Sequence, residues 1–237
     1  AVRPLSFPRD HGAHPAMRTE WWYITGHARA PGPAGDRLFG FQVTFFRTRV
    51  DAAQSIASAF AARQLIFAHA AVTDVQGQRL WHDQRIARAG FGIAQADTGD
   101  TRLKLRDWSL VREADGSYRA QLPAGEFALD LRFAPTQPLL LQGREGLSRK
   151  GPQPTQASYY YSQPQLAVEG RLRLQGQELP VTVHRLLIAD TVEDVVDERL
   201  TRKRALSDTA VIGIEGKDDD YGDIVAALNR SPSKRAG

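Results

Sequence analysis

A chain of 237 residues with 42% hydrophobic composition can bury one large core or two small ones. Its formal charge of +4 is too small to indicate a nucleic-acid partner, and no run approaches the ~18 apolar residues of a membrane helix. Having no cysteine, it is without disulfides, thiolate catalysis and Cys-ligated zinc.

Residues 1–19 carry Pro4, Pro8, Gly12 and Pro15, which oppose a helix and predict an extended or looping entry segment. Glu20 to Ala28 is dense in aromatic and β-branched residues and predicts a strand. After the turn-forming run at 31–36, residues 39–47 alternate. Phe39, Phe41, Val43 and Phe45 share one face and Gly40, Gln42, Thr44 and Phe46 the other, so a hairpin is expected. Residues 51–62 predict one short helix or a loop. Strands are expected over 65–72 and 79–85, and across the alternating stretch 101–113, which slips once before Trp108. Asp115-Gly116 marks a turn before the strand 118–122, and Phe127, Leu129, Leu131 and Phe133 form the cleanest half-buried alternation. Residues 139–141 are short and apolar. Residues 142–156 read as an ordered loop or lid, followed by three consecutive tyrosines at 159–161 and an alternating run over 166–174. Nine or ten short strands with polar turns predict a mainly β fold, an antiparallel barrel or sandwich.

The character changes near residue 181. From there on nine Lys/Arg face eleven Asp/Glu, and Thr191 to Leu206 has helical apolar spacing with acids first and bases last, which suits the helix dipole. The expected organisation is a β domain over 1–180 and a mainly helical tail over 181–237, with Ser231 to Gly237 disordered. The first residue is Ala1 rather than Met, which fits a processed chain and an expected periplasmic or secreted location.

Six ordered segments carry a family likeness: FPRDHGAHP (7–15), EWWYITGH (20–27), FGFQVTFFR (39–47), RQLIFAHAAV (63–72), LSRKGP (147–152) and SYYYSQPQLAVEG (158–170). Residues 1–180 resemble the AttH family, the lipocalin-like family that includes carotenoid 1,2-hydratase. The resemblance implies a lipocalin-like β domain, an apolar polyene or lipid-like ligand, and chemistry of the kind that adds water across a terminal carbon–carbon double bond. It also implies a second β domain reached through a Trp-x-Asp-His-Glu-Trp-like motif, which does not follow Pro180 here. Residues 180–230 instead resemble the segment after the last helicase motif of Swi/Snf-type ATPases, without a Walker-type phosphate loop. The expected reading is therefore a chimaeric chain with reduced catalytic competence.

Water addition to an alkene needs a strong acid and stabilisation of developing positive charge. Asp10 and Glu20 are the candidate acids. His11, His14, Trp21, Tyr23, Gln42, His69 and Tyr160 are the candidate ligand-binding groups. Against this stands a structural reading: Trp22 and Ile24 in the core, Trp21 and Tyr23 covering the other face, a buried pair between an acid and Arg18, and His69 satisfied within its strand. Gln42 is expected to be structural or to point into a barrel. His11-x-x-His14 with Asp10 and Glu20 has metal-ligand residue types, but Gly12 and Pro15 oppose the helix that its spacing needs, and no metal or cofactor is expected. No G-x-S-x-G elbow supports serine hydrolase chemistry. Three functions remain open: a module that binds an apolar ligand, an active hydratase or hydrolase using Asp10 and Glu20, and a fold remnant.

Overall fold

The computed structural model describes residues 3–33, 35–153 and 156–182. The helix expected in the tail lies outside the described residues.

The strands, in chain order, begin with β1 (Thr19–Ala30), β2 (Arg37–Arg49), β3 (Gln64–Asp74), β4 (Arg79–Arg88), β5 (Ala94–Ala96), β6 (Arg102–Leu105), β7 (Trp108–Arg112) and β8 (Tyr118–Pro123). They continue with β9 (Phe127–Pro135), β10 (Leu140–Leu141), β11 (Leu147–Arg149), β12 (Ala157–Tyr159), β13 (Tyr161–Ser162), β14 (Leu166–Leu174) and β15 (Gln177–Thr182). Eleven of them form one antiparallel sheet in the order β4-β3-β2-β1-β15-β14-β9-β8-β7-β6-β5. The sheet curls into a nearly closed, lipocalin-like barrel, with β3 and β4 approaching β5 and β6 across the core. β10 pairs with β13 and β11 with β12 as two small separate ribbons.

The alternation read from the sequence sets the two faces. Phe39, Phe41, Val43 and Phe45 of β2 point inward, as do Ile66, Ala68, Ala70 and Val72 of β3 and Phe127, Leu129, Leu131 and Phe133 of β9. They join Trp108, Leu105 and Leu122 in a single core. Phe45, Trp108 and Leu122 are wholly inaccessible to solvent.

Two local expectations differ from the structure, while the short helix or loop expected over 51–62 is a 3-10 turn at Asp51–Ala53 followed by a loop. The stretch 101–113 is a hairpin, β6–β7, because Arg106 takes a left-handed conformation (φ 59°) where the alternation slips. Residues 142–156 contain β11, so the expected lid is in part a paired ribbon.

β1 lies beside β15 in the sheet, with Arg29 registered opposite Thr182, the last of the described residues.

Two glycines offer a test of how tightly the second half of the sheet is packed. At Gly170 (φ 149°) an added Cβ would lie 2.2 Å from the Asp130 carbonyl oxygen, whereas at Gly176 (φ 84°) it would meet nothing within 4 Å. Gly176→Ala is expected to cost only the left-handed penalty, about 1–2 kcal/mol. Gly170→Ala adds a backbone clash between β14 and β9 and is expected to cost at least about 3 kcal/mol. Urea unfolding midpoints of the two variants measure the difference.

Candidate functional site: a charged latch and an aromatic outer face

The entry segment forms a 3-10 turn at Arg9–His11 and closes one end of the barrel. Glu20 and Arg47 lie directly opposite each other on β1 and β2, on the inward face where the apolar row of β2 ends. Arg47 is fully buried. Its Nε donates to Glu20 Oε2 at 2.6 Å, and its Nη2 donates to the carbonyls of His14 (2.9 Å) and Met17 (2.7 Å). Removing either member of such a pair strands a buried charge at a cost of about 3–5 kcal/mol.

His14 sits between the two candidate acids. Its Nδ1 donates to Glu20 Oε1 at 2.6 Å and its Nε2 to Asp10 Oδ1 at 2.8 Å. Both acceptors are carboxylates, so both ring nitrogens carry hydrogen and the ring is an imidazolium. The bond to Glu20 raises its pKa most; burial opposes this, and Asp10 reinforces it. Asp10, with its side chain fully buried, also receives a bidentate pair from Arg3 (2.6 and 2.8 Å), two bonds from Arg9, and the Ser6 backbone N–H. The Arg3 bonds hold it well below the usual carboxylate range, against the cost of burial. Burial pushes Glu20 up, but the His14 and Arg47 bonds outweigh it and leave the carboxyl below its ordinary value.

These directions bear on the acid role read from the sequence. A proton donor to an alkene needs a carboxyl held neutral, whereas Asp10 and Glu20 are both favoured as anions. Arg18 is not their partner. It is exposed, and Arg3, Arg9 and Arg47 do the pairing.

His11 belongs to a second, apolar layer of the latch. Its ring lies 4.5 Å from Phe7 and 5.3 Å from Tyr161, and its Nδ1 is 2.9 Å from the Tyr161 hydroxyl. Burial, helped by the Arg112 charge, lowers its pKa to about 4. The His11 carbonyl accepts from Trp22 Nε1 on β1 and from the Thr101 hydroxyl beside β6, both at 2.9 Å. Ala13 N–H donates to the Asp97 carbonyl at 2.7 Å. The segment therefore ties one half of the sheet to the other. Gly12 makes the close approach possible, since a Cβ there would lie 2.7 Å from the Thr98 carbonyl carbon. Tyr161, noted in the sequence only as one of three consecutive tyrosines, anchors this layer; the sequence gives no sign of its partner.

The other candidates gather on the outside of the barrel. Trp21 (43% exposed) and Tyr23 (47%) project outward from β1. Trp21 is registered against Phe46 and Phe46 against Phe67; Tyr23 is registered against Thr44 and Thr44 against His69. Phe46 and Phe67 stack at 4.5 Å and 8°, with the His69 ring 5.7 Å from Phe46. The Tyr160 and Tyr23 hydroxyls share a 2.7 Å hydrogen bond. Gln42 is exposed on this same outer face, where it donates to the Thr44 hydroxyl at 3.2 Å; it does not enter the barrel, because the inward positions of β2 are the odd-numbered ones. His69 is likewise outward and exposed, beside aromatic rings rather than a carboxylate. Among the described residues no group of three or more potential ligands is placed to hold a metal ion.

The latch predicts a pH profile. His14 binds its proton more tightly in the folded state, so its contribution to stability is complete below about pH 6.5 and is lost as pH rises through its raised folded value. His11 behaves oppositely. Between about pH 4 and 6.5 the unfolded chain holds the proton and the folded chain does not, so stability climbs with pH there. Asp10 and Glu20 stabilise above about pH 4 and lose that contribution in acid. Stability is expected to peak near pH 6.5. His14→Gln flattens the alkaline limb, and His11→Asn flattens the limb between pH 4 and 6.5. Urea midpoints from pH 4 to 9 decide it, and a level profile would contradict the assignment.

No curated protein matches the sequence. Among solved structures, the AttH candidate of Nitrosomonas europaea is 46% identical, with a TM-score of 0.67, over 80% of this chain and 59% of its own length. Kievitone hydratase from Nectria haematococca is 10% identical, with a TM-score of 0.55, over 76% of this chain and 48% of its own, a likeness of fold alone. The chain thus spans well under two thirds of either relative. The AttH-like family model matches residues 1–185. With the latch, the outer aromatic face and the curled antiparallel sheet all inside that match, the chain belongs to the AttH-like family.

Proposed function

We propose that this domain binds an apolar, unsaturated small molecule, a polyene or lipid-like chain, on the outer aromatic face of β1–β3, and that the described residues hold it without completing hydration. The observation that carries this is the division of labour between the two sites. The aromatic face is open, with Trp21 and Tyr23 both nearly half exposed, while the apolar rows of β2, β3 and β9 are buried in the core. The stacked Phe46–Phe67 pair and the Tyr23–Tyr160 hydroxyls give that face a flat apolar floor and a polar rim, which suits a long planar ligand.

Catalysis is set apart from this face by proton placement. Asp10 and Glu20 are bound to His14 and to arginines, which favours both as anions with no proton to donate. The chain spans 59% of the Nitrosomonas protein. For a whole protein of that length the proposal is hydration of a carbon–carbon double bond, with the acid supplied from outside the described residues. A periplasmic or secreted setting, and a junction near residue 181 with a tail of other origin, belong to the same proposal. They rest on the sequence alone.

Trp21 is the natural reporter, because Trp81 and Trp108 are buried and Trp22 packs against the core. Titration with a conjugated polyene or a polyunsaturated fatty acid is expected to quench tryptophan fluorescence saturably, and Trp21→Phe to abolish most of that quenching. Flat titrations with both ligand types would overturn the reading.

A further inference from the structure

Two connections at one end of the β3–β4 pair hold large apolar side chains in water. Phe60, on the way into β3, is 73% exposed, and Phe91, just after β4, is 57% exposed. Ile56 and Ile93 are exposed beside them. The two phenylalanine rings stack on each other at 5.5 Å and 8°. Rings that cover only one another leave most of their apolar surface wet, which is unfavourable.

The chain nevertheless builds this tip. Phe91 adopts φ 56°, a left-handed conformation rarely taken by a bulky residue, between Gly90 (φ 108°) and Gly92 (φ 68°). Arg88 Nη1 donates to the Phe60 carbonyl at 2.8 Å, and its guanidinium lies 4.1 Å from the Phe91 ring centroid. Arg63 Nη2 donates to the Ile56 carbonyl at 2.7 Å, and Gln54 Nε2 bridges the Val50 and Arg63 carbonyls. The protrusion is held in place rather than left loose.

Its surroundings are basic. Arg106 N–H donates to the Ile93 carbonyl at 2.6 Å, which brings the β6–β7 turn alongside. Lys104 and Arg106, with Arg102, line an open cavity of about 350 Å³ on that turn. The nearby carboxylates are already engaged: Asp51 by Arg49, Asp97 by Arg102 and Asp107 by Arg85. Among the described residues, Arg63, Arg88, Lys104 and Arg106 face no carboxylate in an ion pair. An exposed apolar tip flanked by cations that no carboxylate neutralises complements an anionic lipid surface, where apolar side chains enter the acyl boundary and basic ones meet the headgroups.

We propose that this end of the domain docks on an anionic lipid surface. Phe60 and Phe91 enter the boundary between headgroups and acyl chains, and Arg63, Arg88, Lys104 and Arg106 meet the lipid phosphates. This goes beyond the ligand face described above and rests on different residues.

The test is co-sedimentation of the full chain with vesicles of equal parts phosphatidylglycerol and phosphatidylcholine, and with vesicles of phosphatidylcholine alone. Partitioning is expected to be at least about tenfold stronger to the anionic vesicles and to weaken as salt is raised. The double variant F60S/F91S is expected to lose at least about tenfold in vesicle affinity. Its far-UV circular dichroism and urea midpoint should stay unchanged, because both rings are exposed. Failure to sediment with either vesicle overturns the proposal, as does equal binding by the double variant. A concentration-dependent dimer that the double variant abolishes, without vesicle binding, would make the tip a protein interface instead.

Discussion

The structure depends on one half-buried cation held between two anions. The His14 imidazolium donates to Asp10 on one side and Glu20 on the other, with Arg47 beneath and Arg3 above. β1 lies beside β15 in the sheet, with Arg29 registered opposite Thr182. At its near end it is joined to the second half of the sheet through the entry segment, by way of the His11 and Ala13 backbones. The charge-assisted bonds of the cluster are stronger than neutral ones, directional and sensitive to protonation.

That role accounts for the unusual composition of the stretch from Asp10 to His27. Residue types suited to acid–base chemistry are equally the types needed to hold paired charge at a barrel mouth. The distinction lies in protonation. A catalytic acid is held neutral by an apolar setting, while here arginine and imidazolium partners favour both carboxylates as anions. Aromatic residues in the same stretch divide by parity. Trp22 turns inward and donates to the latch, and Trp21 and Tyr23 turn outward.

The three consecutive tyrosines show the same economy. Tyr159 accepts from the Arg3 backbone N–H, Tyr160 meets Tyr23 and Tyr161 meets His11. Alternation along an extended chain lets neighbouring residues serve the entry segment and the outer face at once. The segment that closes the barrel and the face that is open to a ligand are therefore braced by one short run of sequence.

Period-two alternation in the sequence determined much of the fold: the β1–β2 hairpin, the inward rows of β2 and β9, and the mainly β class. Burial on one face imposes that period, and it survives without knowledge of neighbours. The six ordered segments were enough to place the chain in its family. What only the tertiary structure decided was direction and partnership. Gln42 and His69 proved to be outside the barrel because the core took the opposite parity on their strands, and parity alone does not say which face is inward. Asp10 and Glu20 became ion-paired anions because Arg3 and Arg47 arrive from 7 and 27 residues away. Tyr161 reached His11 across 150 residues. A carboxylate's chemistry is set by the charges brought next to it, and in this chain those neighbours are supplied by folding.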